Sequence, residues 1–420
     1  MRSVFRDSWV SATIVLLLVG LAAQSVPLIG LGVLVFGTGG MARLWARVSL
    51  EDVRYQRLLS ERRVFMGESV EIRLRLMNAK RIPVPWIEVR EHLPESAPVS
   101  GGHATPSGMA GAVLLTRSAA LGAHEQIEWP LTLHARQRGF FRLGPTRLRS
   151  GDLFGIFERE EAVRGTDSIV VYPRTYPLGD LGIVSARPFG DRAGGQRIFE
   201  DPIRVVGVRD YVPGDPLKRV DWNATARTGR LQSRLYEPSR TQAVVVALNV
   251  STMEQSWLGF DPMLLERNVV VAASIARWAF EGHAAIGLIA NGSFPDADRA
   301  IRIGTGSRSD QLVRVLEALA MIAPFTISSL AAELERPGQA LPAGATLVVV
   351  AALMSTDLAA TLRRLRADGH AVHVVKTSAG PWDTSLSPIP VTEIGPAMRV
   401  LEEADAPPSP APPAPRATPP

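Results

Sequence analysis

The sequence predicts a multidomain chain with an N-terminal transmembrane helical hairpin, an antiparallel β-sandwich and a doubly wound α/β domain. Three observations predict this. No charged residue occurs from Val10 to Ala42. Through residues 62–175 short stretches alternate apolar and polar side chains, the period of half-buried strands. From Ala243 onward, continuous apolar runs alternate with segments of helical spacing, as a parallel sheet with crossover helices requires.

The uncharged stretch would be ~50 Å long as one helix at ~1.5 Å per residue, against a hydrocarbon core of ~30 Å. Gln24, Ser25 and Pro27 interrupt it near its middle. Two helices follow, roughly Trp9–Ala23 and Val26–Met41, within a hairpin assigned to residues 1–45. A signal peptide with Arg2 and Arg6 as its charged start is the competing reading. The apolar stretch, however, continues past any small-residue cleavage point near Ala22-Ala23. Arg2 and Arg6 before the hairpin, and Arg43, Arg47, Arg54 and Arg57 after it, place both flanks on the cytoplasmic side. The expected location is a bacterial inner membrane, multi-pass, with the soluble domains cytoplasmic.

Residues 46–178 form the expected β-sandwich. Val70, Ile72, Leu74 and Leu76 alternate with Glu71, Arg73 and Arg75, and Ile127, Trp129, Leu131 and Leu133 repeat the pattern. Val84–Val89 and Ile169–Tyr172 add strands, and the Gly/Ser/Ala/Pro-rich residues 96–112 read as a long surface loop. Residues 179–240 link the domains. In 241–397 the order is strand Ala243–Leu248, helix Leu264–Phe280, strand Ala285–Ala290, helix Asp310–Ile322, strand Thr346–Ala351, helix Thr356–Asp368 and strand Val372–Val375. Gly282 and Gly369 follow helices in C-cap position. Residues 398–420 read as a disordered tail, dominated by Pro and Ala from Ala406.

Composition narrows the function classes. The chain has 420 residues, 46% hydrophobic and 21% charged, and no cysteine. Disulfides, thiolate catalysis and Cys-based metal sites are thereby excluded. The net charge of +5 comes from arginines spread along the chain, with no basic block interleaved with aromatics. That distribution favours a lipid bilayer over nucleic acid as the charged partner. The seven histidines show no ligand spacing, and His370 and His373 fall on opposite faces of a strand. No Gly-x-Ser-x-Gly elbow or Walker A motif occurs. Gly304–Ser307 before a helix has the composition of a phosphate cradle, although such turns are more often structural. Glu160-Glu161 and Glu402-Glu403 read as solvated surface. No catalytic residue, cofactor or small-molecule substrate is assigned.

The densest chemistry lies in Arg209–Arg240. Pro213, Gly214 and Pro216 bar a continuous helix over its first third. Its charges alternate in sign too closely for an ordinary solvated face. Asp221-Trp222 beside Arg227 suggests carboxylate–guanidinium pairs held under an indole. The candidate residues, partner-binding or structural, are Arg209, Tyr211, Gly214, Asp215, Arg219, Asp221, Trp222, Arg227 and Glu237. Set between two domains, this segment fixes geometry first and binds a partner second.

Arg209–Pro216, Arg219–Trp222 and Ala226-Arg227 resemble the signature of the bacterial family known as domain of unknown function 58. The resemblance extends to Arg138–Gly144, Asp152–Gly155, Val171–Pro173 and the paired membrane segments. It implies a von Willebrand factor A-like domain after the signature, and a MoxR-type AAA+ ATPase as partner. In such domains the loop after the first strand carries Asp-x-Ser-x-Ser and holds a divalent cation through carboxylate and hydroxyl oxygens. The corresponding residues here are Asn249, Ser251 and Met253. The charge of the first position is missing, and a thioether replaces the last hydroxyl. The site is read as degenerate, with no metal. Asp357 could supply a carboxylate or cap the helix that follows the strand. The function expected is a non-enzymatic membrane-anchored adaptor or assembly factor acting through protein–protein contacts. The alternatives are a membrane-linked cell-envelope hydrolase and a metal-dependent adhesion-type receptor.

Overall fold

Gln24 takes a positive φ of 46° and Pro27 enters the first turn of the next helix, so the uncharged stretch folds back on itself as predicted. Helix α1 spans Arg2–Ala22 and α2 spans Val26–Val48. Both run further than the sequence suggested, because helical hydrogen bonding continues past the apolar residues into the charged flanks. The two pack antiparallel. Gly32 lies where an added Cβ would come within 2.6 Å of Leu17, and a Cβ at Gly39 would collide with the Trp9 ring. Small residues at these points let the backbones approach. By length and composition, α2 is long and apolar enough to cross a membrane, and the apolar part of α1, Trp9–Ala22, is shorter. In this computed structural model the described residues are 2–183, 199–212, 219–239, 242–254, 259–295, 297–336, 341–382 and 384–405. They divide into two compact units, Met1–Pro173 and Arg174–Pro420.

In the first unit, twelve strands follow the helices. They are β1 (Val53–Leu59), β2 (Arg63–Phe65), β3 (Ser69–Asn78), β4 (Val84–Pro94), β5 (Val99–Ser100), β6 (Ala104–Pro106), β7 (Ala112–Leu121), β8 (Gln126–His134), β9 (Gly139–Leu143), β10 (Thr146–Gly151), β11 (Glu158–Ala162) and β12 (Asp167–Tyr172). They form sheets ordered β1-β3-β8-β5, β11-β10-β4-β7-β6 and β2-β12-β9, antiparallel except for the parallel β2–β12 pair. The period of two decides the interior. Val70, Ile72, Leu74 and Leu76 of β3 are fully buried, facing Leu93, Leu115 and Leu121 of the second sheet among others. The expected loop at 96–112 contains β5 and β6, which pair with β8 and β7.

Two polar devices are built into this unit. Lys80 Nζ donates to the carbonyls of Val48 and Ser49 at 2.5 Å each and of Glu51 at 2.8 Å. An ammonium thus caps the C-terminal end of α2, where the helix dipole favours a cation. Arg57 lies in the sandwich with only 3% of its side chain exposed, against a Glu91 side chain that is not exposed at all. Its guanidinium also meets Asp167 Oδ2 at 2.7 Å and Thr146 Oγ1 at 2.9 Å, while Tyr55 donates to Glu91 at 2.7 Å. Burial, reinforced by the Glu91 carboxylate, pushes the Tyr55 hydroxyl far above its ordinary value.

In the second unit, β13 (Phe199–Asp210), α3 (Trp222–Thr228) and β14 (Gln232–Ser239) form an antiparallel pair with a helix in its connection. Then come β15 (Ala243–Leu248), α4 (Pro262–Glu281), β16 (Ala285–Ser293), β17 (Ala300–Gly306), α5 (Gln311–Met321), α6 (Leu330–Leu334), β18 (Thr346–Ala351), α7 (Thr356–Ala367), β19 (Ala371–Lys376), β20 (Val391–Glu393) and α8 (Gly395–Asp405). The sheet order is β17-β16-β15-β18-β19-β20, parallel throughout except for β17. Val245, Ala247, Leu347 and Val349 pack under α6 and α7, so the alternate residues of those strands point to the opposite face. There α4 crosses β15, β16 and β18.

Several expectations are corrected here. Gly304–Gly306, read as a turn, ends the edge strand β17, and Gln311 Nε2 holds the Gly304 carbonyl at 2.7 Å. Gly282 is the C-cap of α4 as expected, its N–H reaching the Trp278 carbonyl, with His283 after it in the left-handed conformation at φ 58°; Gly369, left-handed at φ 91°, follows the C-cap Asp368 of α7. Helix α7 is capped by Ser355, whose hydroxyl accepts from the Leu358 N–H at 3.2 Å, and not by Asp357. Glu402 is only partly solvated: both its oxygens accept from the buried Arg267 at 2.6 Å, tying α8 to α4. That pair also holds the Arg267 guanidinium firmly protonated, above its ordinary value. Helix α8 therefore occupies residues where a tail was expected from 398, and residues 406–420 lie outside the described ones.

Candidate functional site

Two places in the second unit carry the sequence-predicted residues. The first is the β13–α3–β14 hairpin. Asp221 is the N-cap of α3: its Oδ1 accepts from the Ala224 N–H at 3.0 Å, and its Oδ2 takes Arg234 Nε at 3.1 Å. The backbone N–H of Ala224, then Arg234, holds the Asp221 carboxyl below its ordinary range. The guanidinium on Asp221 is thus that of Arg234, whereas Arg227 lies exposed in the last turn of α3. Nor does the indole cover the pair. Trp222 is 66% exposed on the first turn of α3. No residue of α3 is buried, so the indole on its first turn has nothing to pack under.

The rest of the hairpin is closed by side chains absent from the sequence reading. Gln232, 6% exposed, donates to Asp210 Oδ1 at 2.6 Å, and its N–H reaches Thr225 Oγ1 at 3.0 Å. Gly229 ends α3 in the left-handed conformation at φ 67°. Tyr211 pairs through its backbone with Leu231, Arg209 donates to the Asp210 carbonyl, and Arg219 is half-buried beside the Val220–Ser233 bridge. Val208, Val212, Trp222 and Leu231 are between 44% and 66% exposed in this one hairpin. Glu237 falls within β14. Gly214 and Asp215 lie outside the described residues.

The second place is the C-terminal edge of the six-stranded sheet. Neighbouring β15 and β18 lead into helices on opposite faces of the sheet, α4 and α7, which makes their ends the switch point of this topology. Asn249 stands at the end of β15, 6% exposed. Its Nδ2 donates to the Leu353 carbonyl at 3.1 Å, and its Oδ1 accepts from Ser251 N and from Asn291 Nδ2, both at 3.1 Å. Asn291, near the end of β16, in turn accepts from the Val250 N–H at 2.7 Å. Asn268 of α4 donates to the Asn249 carbonyl at 3.0 Å and accepts from Thr377, which follows β19.

Three buried amides therefore stand where an Asp-x-Ser-x-Ser loop would offer a carboxylate. Each amide oxygen already serves as an acceptor inside the network. Met253 is partly exposed, and among the described residues no three His, Cys, Asp or Glu side chains are grouped to hold a metal. The donor set does not fit a hard divalent cation. Sequence reasoning found Asn249 and Ser251 but missed Asn268 and Asn291. The signal was present: Leu248 and Ala290 are register partners, so asparagines follow both apolar strands at one level.

Residues 207–386 match the family model described as protein of unknown function DUF58. The matched stretch begins in β13 and ends after β19, so it takes in both places. Uncharacterized protein YeaD of Bacillus subtilis (strain 168) is 23% identical over 259 residues, covering 60% of this chain. The chain spans 59% of that relative's length. Among solved structures, the CARDB domain of the PF1109 protein from Pyrococcus furiosus aligns with 29% of this chain and 92% of its own. That alignment has 15% identity and a TM-score of 0.20. The ASH / PapD-like domain of human CEP192 aligns with 29% of this chain and 84% of its own, at 18% identity and a TM-score of 0.17.

Proposed function

We propose that the chain is a non-enzymatic adaptor, anchored in a bacterial inner membrane by the α1–α2 hairpin, that docks a partner protein through the β13–α3–β14 hairpin. One observation carries this reading. The Asp221 carboxylate is fully engaged in capping α3 and pairing Arg234, and it leaves Trp222 presented outward on a rigid first turn. A fixed, exposed indole amid arginines has the composition of an interface hot spot. The charges of the segment set geometry, and the aromatic supplies contact area.

The partner class, a MoxR-type AAA+ ATPase, comes from the resemblance to domain of unknown function 58. The sheet order, with its third strand antiparallel at the edge, supports reading the α/β domain as von Willebrand factor A-like. Its degenerate edge favours the adaptor over a metal-dependent adhesion receptor. The test is capture of such an ATPase by the full chain in detergent, comparing Trp222→Ala, Asp221→Ala and Arg227→Ala. Loss of at least tenfold in affinity is expected for Trp222→Ala with its fold intact by circular dichroism. Undiminished capture by that variant would refute the docking role. A cell-envelope hydrolase with its soluble part outside the cell would instead be cleaved by protease added to spheroplasts.

A further inference from the structure

The connection between β10 and β11 is an apolar tip that lies outside the core of the sandwich. Leu153, Phe154 and Ile156 are 63%, 73% and 56% exposed in one four-residue turn. The turn is not loose. Asp152, 1% exposed, has its Oδ2 accepting from the Phe154 N–H at 2.9 Å and its Oδ1 from the Phe157 N–H at 2.6 Å. Trp86 Nε1 donates to the Asp152 carbonyl at 2.9 Å, and Gly155 takes the left-handed φ of 67° that closes the turn. A buried carboxylate thus holds three large apolar side chains outward.

What they face is the helical hairpin. Phe154 and Ile156 line a cavity of about 320 Å³ together with Trp9, Val35, Thr38 and Gly39, floored by Phe157. Phe157 makes an edge contact with Trp9 at 5.8 Å, and the Arg43 guanidinium lies 5.8 Å from the Phe157 ring. The level along α2 is decisive. Val35 and Gly39 precede Arg43 by eight and four residues, so the tip reaches ~12 to ~6 Å beyond the first arginine, on the side of the Gln24 turn. That is the side on which α2 shows lipid-compatible surface: Leu31, Val33, Leu34 and Phe36 are at least half exposed. The apolar part of α2, Val26–Ala42, is ~25 Å long, short of a ~30 Å hydrocarbon core. A short span is met by local thinning of the bilayer and by snorkelling of its flanking residues. Behind the tip stand Arg43, Arg47 and Arg159, the last donating to the Arg47 carbonyl at 2.6 Å. A basic row at that height suits anionic headgroups.

We propose that the Leu153–Ile156 tip inserts into the membrane leaflet adjoining the sandwich, with lipid acyl chains filling the cavity beside Trp9 and Gly39. This rests on the reading of α1–α2 as membrane-spanning. It makes the first unit a three-point membrane body, whose sandwich is held at fixed height and orientation on the bilayer rather than swinging on a linker.

The cysteine-free chain permits a direct test. Phe154→Cys, Leu34→Cys on α2 and Met109→Cys are each labelled with an environment-sensitive fluorophore. The full-length protein is reconstituted in phosphatidylcholine/phosphatidylglycerol vesicles carrying lipids doxyl-labelled near the headgroup. Met109 lies between β6 and β7, at the opposite edge of the same sheet. Expected is blue-shifted emission at positions 34 and 154, with doxyl quenching several-fold above that at 109. Quenching at 34 combined with aqueous emission and iodide quenching at 154 would overturn the proposal while leaving the hairpin reading intact. Absence of doxyl quenching at both 34 and 154 would overturn both. Leu153→Cys repeats the measurement at a position that does not line the cavity.

Discussion

Replacing Asn249 by Asp exchanges one NH2 group for an oxygen and leaves shape almost unchanged. The two acceptor roles of Asn249 Oδ1, toward Ser251 N and Asn291 Nδ2, survive. The donor role does not: a carboxylate oxygen would face the Leu353 carbonyl across the 3.1 Å now bridged by Nδ2–H. The lost hydrogen bond costs ~1 kcal/mol and the two confronted acceptors ~1–3 kcal/mol, so the ionised variant is destabilised by ~2–4 kcal/mol. A protonated carboxyl restores a donor to Leu353. The destabilisation must therefore vanish at low pH and grow as pH rises, which is equivalent to a carboxyl holding its proton ~1.5–3 pH units above the ordinary Asp value. The assay is hydrogen exchange of the Val244–Leu248 amides, compared between N249D and wild type at matched pH. It reports the opening of this sheet alone in a chain of two units. Equal protection at pH 7.5, or a deficit of the same size at pH 4.5, would refute the argument. Excess magnesium is expected to leave the N249D deficit in place, because the remaining donors are amides, the hydroxyls of Ser251 and Thr377, and a thioether. Rescue by magnesium would show that a single carboxylate suffices to build the cation site.

Two further outcomes follow from buried charge elsewhere. Arg57→Met strands the fully buried Glu91 carboxylate and is expected to destabilise the sandwich by ~3–5 kcal/mol. Thermal unfolding should show Arg57→Met/Glu91→Leu recovering most of that loss; a double variant as unstable as the single one would contradict it. His373 is 6% exposed, shares a 2.8 Å hydrogen bond with Thr392, and burial lowers its pKa to about 4. The unfolded chain binds its proton near the ordinary value of 6.5, so the contribution of His373 to stability is full above pH 6.5. It falls as pH drops toward 4, by ~3 kcal/mol in all. His373→Val should flatten this slope in urea unfolding at pH 7 against pH 4.5, and an unchanged slope would place the titration elsewhere.

The legible parts of this chain were those where side-chain pattern reflects a single local environment. Val70–Leu76 alternates because one face of β3 is buried, and Ala243–Leu248 is continuously apolar because both faces of β15 are covered. Elements without such a contrast escaped. Strand β17 is mostly half-buried along its length, and Gly304 and Gly306 disguised it as a turn. Helix α3 is too short for a period and has no buried residue. At the candidate sites the residue types were visible but their pairings were not. Asp221 has Arg209, Arg219, Arg227, Arg230 and Arg234 near it in sequence, and only the hairpin register, which sets Arg234 opposite Val208, decided among them.

The sequence by itself determined that residues 10–42 form an uncharged apolar element folded back once on itself, that strands and then alternating strands and helices follow, and that the Asp-x-Ser-x-Ser position lacks its charge. Periodicity and charge are properties of neighbours along the chain, so they survive being read in one dimension. Tertiary structure alone decided that three asparagines from separate elements close the sheet edge, that the Asp221 carboxylate turns inward while Trp222 turns out, and that Leu153–Ile156 lies level with the apolar turns of α2. Each of these depends on strand register or on the height of one element against another. Those quantities are set by the packing of residues distant in sequence, and no local pattern encodes them.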